Sequence, residues 1–288
     1  MEPLLPASFR PMVAAMKLTF GLVGTGDEAK ATTAFDALAQ WLEREADVTL
    51  ERVPARSYED LAISVREGKS DLAWLPPVVF ARIAEGVTAL GSIVRAGKTS
   101  YAAALVVPES SKVKTMADLQ GLRAGWVDPW SAAGFVVPRI ELAARGVDPA
   151  TAFRSEKFHG SHRETLLAMD RGECDVVGTF ARLPEKDAAS PQESALATEG
   201  AWSAEDVKVR VIATFGPIPT DVIAVRRNLA PDAYERALAA LRKASAADDA
   251  HELVKGVFGG EQLREGVEPG HETLRRAYER AVANDLFD

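Results

Sequence analysis

The feature that most narrows the possible folds is an alternation, along the whole chain, of strand-sized apolar runs with segments of helical period. Residues 17–23 read as a strand, and residues 31–45 as a helix with Phe35, Leu38 and Leu42 on one face. A second strand covers 48–53. The helix over 58–67 is closed by Gly68, where the chain leaves the helix through left-handed backbone. Residues 72–75 form a short buried strand stopped by Pro76-Pro77, and a helix over 78–85 follows. Strands near 90–94 and 101–107 complete a parallel α/β unit, whose ligands belong at the carboxyl ends of its strands.

Pro108 opens a second unit of the same kind. It runs through a short helix at 115–119, a strand ending at Val127, helices over 134–145 and 162–171, and a strand over 174–178. Residues 184–205 are polar and weakly periodic, which predicts a surface excursion. Residues 207–213 alternate as a returning strand does, 222–225 form another strand, and helices cover 231–247, 248–258 and 270–284. No internal repeat is present.

A chain of 288 residues can bury two compact cores, and its 47% hydrophobic and 26% charged content is that of a globular protein. The longest apolar runs, such as 102–108, are too short to span a membrane as a helix. A net charge of −8 argues against a nucleic-acid partner and leaves small anions open, since those depend on local groups. The single cysteine, Cys174, permits no intrachain disulfide and falls in an apolar run, as a buried, inert thiol does. Residues 1–16 read as an N-terminal extension without the basic start and continuous apolar segment of a secretory signal. The expected location is therefore the cytoplasm, or the periplasm if a leader has been removed.

Residues 124–139, AGWVDPWSAAGFVVPR, carry the strongest hint of function. They read as a strand, an Asp-Pro turn and a small-residue loop opening a helix. A helix start presents unpaired N–H groups and partial positive charge, which suits an anion. Ser131, Ala132, Ala133 and Gly134 let a ligand approach that backbone. The alternative is an ordinary strand–turn–helix with an Asp or Ser cap. There is no nucleophile elbow, no phosphate loop with its lysine and no paired His and Cys, so no enzyme and no cofactor is expected. Gly24-Thr25-Gly26 is too short a glycine pair to signal a dinucleotide. His159 and His162 lie three residues apart without a Cys or a suitably placed acid, so no metal site is expected.

Five segments together resemble one family. They are Tyr58 with GKSDLAWLPP (68–77), SYAAALVVPESS (100–111), GWVDPWSAAGFVVPR (125–139), FHGSHRETLLAMDRGECDVVG (158–178) and GPIPTDVIAV (216–225). In this order, over roughly residues 17–260, the chain resembles the phosphonate/phosphate-type substrate-binding proteins of ABC importers, within the type II periplasmic binding protein superfamily. The resemblance implies an α/β fold of two lobes joined by a two-strand hinge, with the ligand buried between the lobes on closure. Lobe 1 would comprise 17–107 plus 215–288 and lobe 2 the inserted 108–214, with 105–108 as the outward crossing and 212–215 as the return.

It also implies a site. The phenols of Tyr58 and Tyr101 would donate to an oxyanion, as would Ser131, the backbone at Ala132 and Ala133, and His162, while Asp221 would pair with a ligand ammonium. The structural alternatives are core-edge packing for the tyrosines and a plain N-cap for Ser131. Relatives carry Ser-Thr-Ser-Gly where this chain has Ser131-Ala132-Ala133-Gly134, so two hydroxyl donors are missing, each worth roughly 1.5–3 kcal/mol to a charged oxyanion. Trp130 either covers part of a ligand or packs, and Arg182 either supplies charge or is solvated. The implied function is capture of a small anion or zwitterion, phosphonate- or phosphate-like, with an ABC permease as partner if the protein is exported. The alternatives are an enzyme on the same fold, of the menaquinone- or thiamine-pathway type, and a cytoplasmic ligand sensor.

Overall fold

A computed structural model describes residues 15–23, 28–182 and 196–287. In chain order the first part comprises β1 (Met16–Val23), α1 (Glu28–Ala46), β2 (Val48–Ala55), α2 (Tyr58–Arg66), β3 (Leu72–Leu75), α3 (Pro77–Ile83) and β4 (Val87–Val94). Then come β5 (Ser100–Pro108), β6 (Leu122–Trp126), α4 (Val137–Ala144), α5 (Pro149–Ala152), β7 (Phe153–Phe158), α6 (His162–Asp170), β8 (Val176–Ala181), α7 (Trp202–Glu205) and β9 (Val209–Pro219). The chain closes with β10 (Val222–Arg226), α8 (Pro231–Ala246), α9 (Asp248–Phe258), β11 (Gln262–Glu265) and α10 (Pro269–Ala283).

The strands form two sheets, ordered β11-β4-β10-β3-β1-β2 and β7-β6-β8-β5-β9. β1 runs parallel to β2 and β3, as the alternating pattern predicts. The expected all-parallel unit is interrupted, however, because β10 enters antiparallel between β3 and β4. The returning chain comes from the second sheet and so arrives in the opposite sense. β7 was not visible in the sequence: only Phe153 of its six residues is buried, and an edge strand of charged residues has no apolar period to detect.

Local chemistry sets the element ends that matter for the site. Ser57 caps α2 by accepting from the Asp60 amide at 3.1 Å, and Gly68 leaves that helix at φ +73°. Three apolar clusters hold the layers. Phe20, Phe35, Leu38 and Phe258 pack α1, α8 and α9 on the outside of the first sheet. Leu166, Met169, Cys174 and Trp202 fill the outer face of the second, and burial pushes the Cys174 thiol up to about 11. A third cluster is shared by both halves, joining Leu61, Val78 and Val79 to Trp126, Trp130 and Phe135.

Residues 196–205 are no surface excursion. Ala197, Ala201 and Trp202 are buried, and Gly200 bridges to Ala181. A tryptophan in a polar stretch anchors it where periodicity is silent. The rest of that excursion (184–195), the Gly24-Thr25-Gly26 turn and residues 1–14 of the N-terminal extension lie outside the described residues.

Two connections join the sheets. One is the tight turn between β4 and β5, in which Arg95 and Lys98 exchange backbone hydrogen bonds of 2.9 and 3.0 Å around Ala96 and Gly97, both at positive φ. The other is Thr220-Asp221, between β9 and β10. They lie side by side: the Thr220 amide donates to Thr99 O at 3.0 Å, its hydroxyl to Ile93 O at 2.6 Å, and the Ile93 amide to Asp221 O at 2.9 Å. β5 and β9 pair antiparallel from Ser100↔Pro219 to Pro108↔Val209. The lobe boundaries expected at 107/108 and 214/215 therefore run through two strands that belong to the second sheet over their whole length. No helix of the described residues is long and apolar enough to cross a membrane.

Candidate functional site

Asp221 lies at the centre of the group. Its place in the return connection leaves it 8% exposed, and its Oδ2 accepts from Arg95 Nη2 in the other connection. The same Arg95 nitrogen donates to Phe258 O at 2.9 Å, which ties the guanidinium to the end of α9. The expectation that Asp221 waits for a ligand ammonium is thus not what the structure holds: Asp221 already has a cation.

Tyr58 and Tyr101 converge on this pair. Tyr58 is the first residue of α2, and Tyr101 sits near the start of β5; both are half-buried. Burial and then the nearby Asp221 carboxylate push both phenols above their ordinary range, Asp128 adds to this at Tyr58, and Arg95 opposes it at both. Both therefore stay protonated and can donate. The expected role of hydrogen-bond donor is open to each.

His162 approaches from the second sheet as the first residue of α6, whose cap Ser161 accepts from the Glu164 amide at 3.1 Å. Its Nδ1 lies 2.9 Å from the Thr179 hydroxyl and accepts the Phe180 amide at 3.4 Å. A nitrogen that accepts an amide carries no proton, so the neutral ring carries it on Nε2. Burial lowers the ring to about 4, against a smaller upward pull from Asp221. His162 is a neutral donor at neutral pH.

The 128–137 segment supplies backbone. Ser131 Oγ accepts from the Gly134 amide at 3.1 Å, and Ser131 O accepts from Phe135 and Val136, opening a π-helical turn over Ala132–Val136. The cap reading of Ser131 is therefore realised, and its hydroxyl proton is left over for another partner. Among the described residues, the Ala132 and Ala133 amides have no acceptor, as first-turn amides do not. Gly134 is required here, since a Cβ would lie 2.4 Å from Val127 Cγ2. The turn meets the first sheet's side through Asp128, whose Oδ1 takes the Trp130 amide at 2.8 Å and whose Oδ2 takes the Tyr58 amide at 3.5 Å. Burial raises the Asp128 carboxyl, and these two amides pull it back.

The structure so brings Tyr58, Tyr101, His162 and Asp221 into electrostatic reach of one another, with Ser131, Ala132 and Ala133 joined through Asp128. Trp130 is a packing residue, stacked 3.6 Å under the Arg82 guanidinium of α3. Arg182 is exposed and paired with Glu199 at 2.9 Å, away from this group's partners. Sequence reasoning missed Arg95, Asp128 as an inter-sheet contact, and Thr179 as the orienter of His162. Asp128 had a signal, the Asp-Pro turn; the other two had none.

The family model for phosphonate periplasmic substrate-binding proteins of ABC transporters matches residues 20–268. The chain belongs to this family. The family is described as one of transporter substrate-binding proteins, not of enzymes. The substrate-binding protein is 26% identical over 185 residues to the phosphate-import protein PhnD of Mycolicibacterium smegmatis, a match to 59% of this chain and 56% of that one. The chain thus spans about half the length of that curated relative. Among solved structures, the binding component of a phosphonate ABC transporter from Pseudomonas aeruginosa superposes with a TM-score of 0.77 at 18% identity, over 94% of this chain and 89% of its own. PhnD1 of Prochlorococcus marinus, solved with methylphosphonate, gives 0.75 at 12% identity, over 93% and 99%. These likenesses establish the two-lobed type II periplasmic-binding-protein fold of this substrate-binding protein.

Proposed function

We propose that this substrate-binding protein captures a small phosphonate- or phosphate-class oxyanion among Tyr58, Tyr101, Ser131, His162 and the amides of Ala132 and Ala133. The observation that carries the reading is the convergence of neutral hydrogen-bond donors from both sheets on one group of residues. Protonated phenols, an Nε2–H imidazole, a hydroxyl and two helix-start amides suit an anion whose charge is met by dipoles. The lobes that close are the two halves built on the two sheets, hinged at the β4–β5 turn and at Thr220-Asp221.

Two hydroxyls fewer than in Ser-Thr-Ser-Gly relatives means a weaker grip on a phosphate dianion. If the protein is exported, its partner is an ABC permease. The family description supports a periplasmic location, and recovery of a shortened chain outside the inner membrane would decide for it. Thermal melts with methylphosphonate, phosphate, methanesulfonate and acetate test the ligand class. A ligand at one hundred times its Kd adds roughly 2.7 kcal/mol to stability. No shift with methylphosphonate or phosphate at millimolar concentration would remove this reading.

A further inference from the structure

We infer that Arg95 sets the ligand class of this site: by occupying Asp221 it makes the site one for anions without an ammonium group. The inference rests on the reading of the site as an oxyanion site. A carboxylate as enclosed as Asp221 must be compensated, and an uncompensated one beside a bound oxyanion would repel it. Two cations can compensate it, one brought by the ligand or one built into the protein.

This chain builds it in. Arg95 Nη2 is held by Asp221 Oδ2 and also by Phe258 O at 2.9 Å. Its backbone is fixed by the reciprocal turn with Lys98, and the Ala96 amide is held by Glu261 Oε2 at 2.9 Å. Gly260 lets the chain lie close to β4 and Arg95: a Cβ there would lie 2.4 Å from Ile93 Cγ2, 2.5 Å from Val94 O and 3.1 Å from Arg95 Cγ. A guanidinium tied to a main-chain carbonyl as well as to the carboxylate is not readily displaced by a ligand amine.

The remaining acid of the group is a weaker partner: Asp128 already accepts the amides of Trp130 and Tyr58 at its two oxygens, which holds it in the contact between the halves. The Nε2–H of His162 cannot accept from an ammonium, and the phenols of Tyr58 and Tyr101 accept only by turning their O–H away from the oxyanion. An aminoalkyl phosphonate would therefore bury its cation without a free carboxylate. Specificity of this kind comes from the unsatisfied group in the wrong complex more than from contacts in the right one.

Calorimetric titration of the full chain with methylphosphonate and with 2-aminoethylphosphonate tests this. The wild type should prefer methylphosphonate by about tenfold or more. Arg95→Met should move that ratio by at least about tenfold toward the aminated ligand, whereas Arg95→Lys, which keeps the charge, should keep the wild-type order. Asp221→Asn leaves the guanidinium uncompensated and should tighten methylphosphonate without any gain for the aminated ligand; it carries the question if Arg95→Met does not fold. A wild type that prefers the aminated ligand, or a ratio unchanged in folded Arg95→Met, overturns the inference while leaving the oxyanion site standing. A wild type that binds neither ligand nor phosphate removes the site reading, and this inference with it.

Discussion

Arg95 and Asp221 are separated by 126 residues in the sequence, and their ion pair joins the two connections that link the sheets. The same pair stands beside Tyr58 and Tyr101. A charge placed among these residues thus acts on the hinge segments and on the donors at once. The coupling between binding and closure can be tested from several directions.

His162 should make stability depend on pH. Its ring is neutral in the folded protein down to about 4, against an ordinary value of 6.5. Between those values the unfolded chain binds a proton that the folded one does not, so stability is complete above pH 6.5 and falls as pH drops toward 4. The loss is about 1–3 kcal/mol, allowing for the ring's partial exposure. His159 and His271 are shifted in the same direction, so the check is the difference between denaturant curves of the wild type and His162→Gln across that window. Parallel curves would exclude the effect.

Gly134→Ala should damage the turn. The new Cβ meets Val127 Cγ2 at 2.4 Å and Ser131 Oγ at 2.7 Å. Overpacking of this kind costs about 1–3 kcal/mol, visible in thermal melts, and methylphosphonate binding should weaken with it. Val127→Ala in the same chain removes only the Cγ2 contact, the Val127 Cβ staying 2.5 Å from the new methyl, and should leave most of the loss in place.

Trp130 and Arg82 should be energetically coupled across the two halves. Their 3.6 Å stack predicts a double-mutant-cycle coupling of about 1 kcal/mol between Trp130→Leu and Arg82→Gln. Additive losses would reduce the stack to incidental contact.

Ala132→Ser and Ala133→Ser should trade stability for affinity. Both side chains are buried at 2% exposure, so an added hydroxyl lacks water and costs roughly 1–3 kcal/mol in the free protein. A bound phosphonate would give it a partner. The expected result is a lower free melting temperature with a larger ligand-induced rise, read from melts with and without methylphosphonate. Equal shifts in variant and wild type would place these side chains away from the anion.

Much of this architecture was legible in the sequence. Gly68, Gly146 and Pro76-Pro77 mark element ends by backbone chemistry that depends on nothing distant. Tyr58, Tyr101, His162 and Asp221 could be proposed together only through the resemblance to the phosphonate/phosphate-type family, since no spacing along the chain links them. Arg95 could not, since its meaning lies in a partner that only the returning chain supplies. β7 and the segment anchored by Trp202 escaped for a different reason: one is an edge with no apolar period, and the other is held by single large side chains in polar surroundings.

The entry of β10 between β3 and β4 has a consequence for synthesis. As the chain leaves the ribosome, β1 to β4 emerge early, yet the strand that seals the gap between β3 and β4 emerges only after the entire second sheet has been made. At ordinary translation rates that interval is on the order of ten seconds. Throughout it, β3 and β4 present open edges of apolar residues, which is a hazard for aggregation. The second sheet needs no later strand and can form first. Nascent chains stalled before Val222 should therefore engage chaperones through their amino-terminal part, and release should follow once β10 is out.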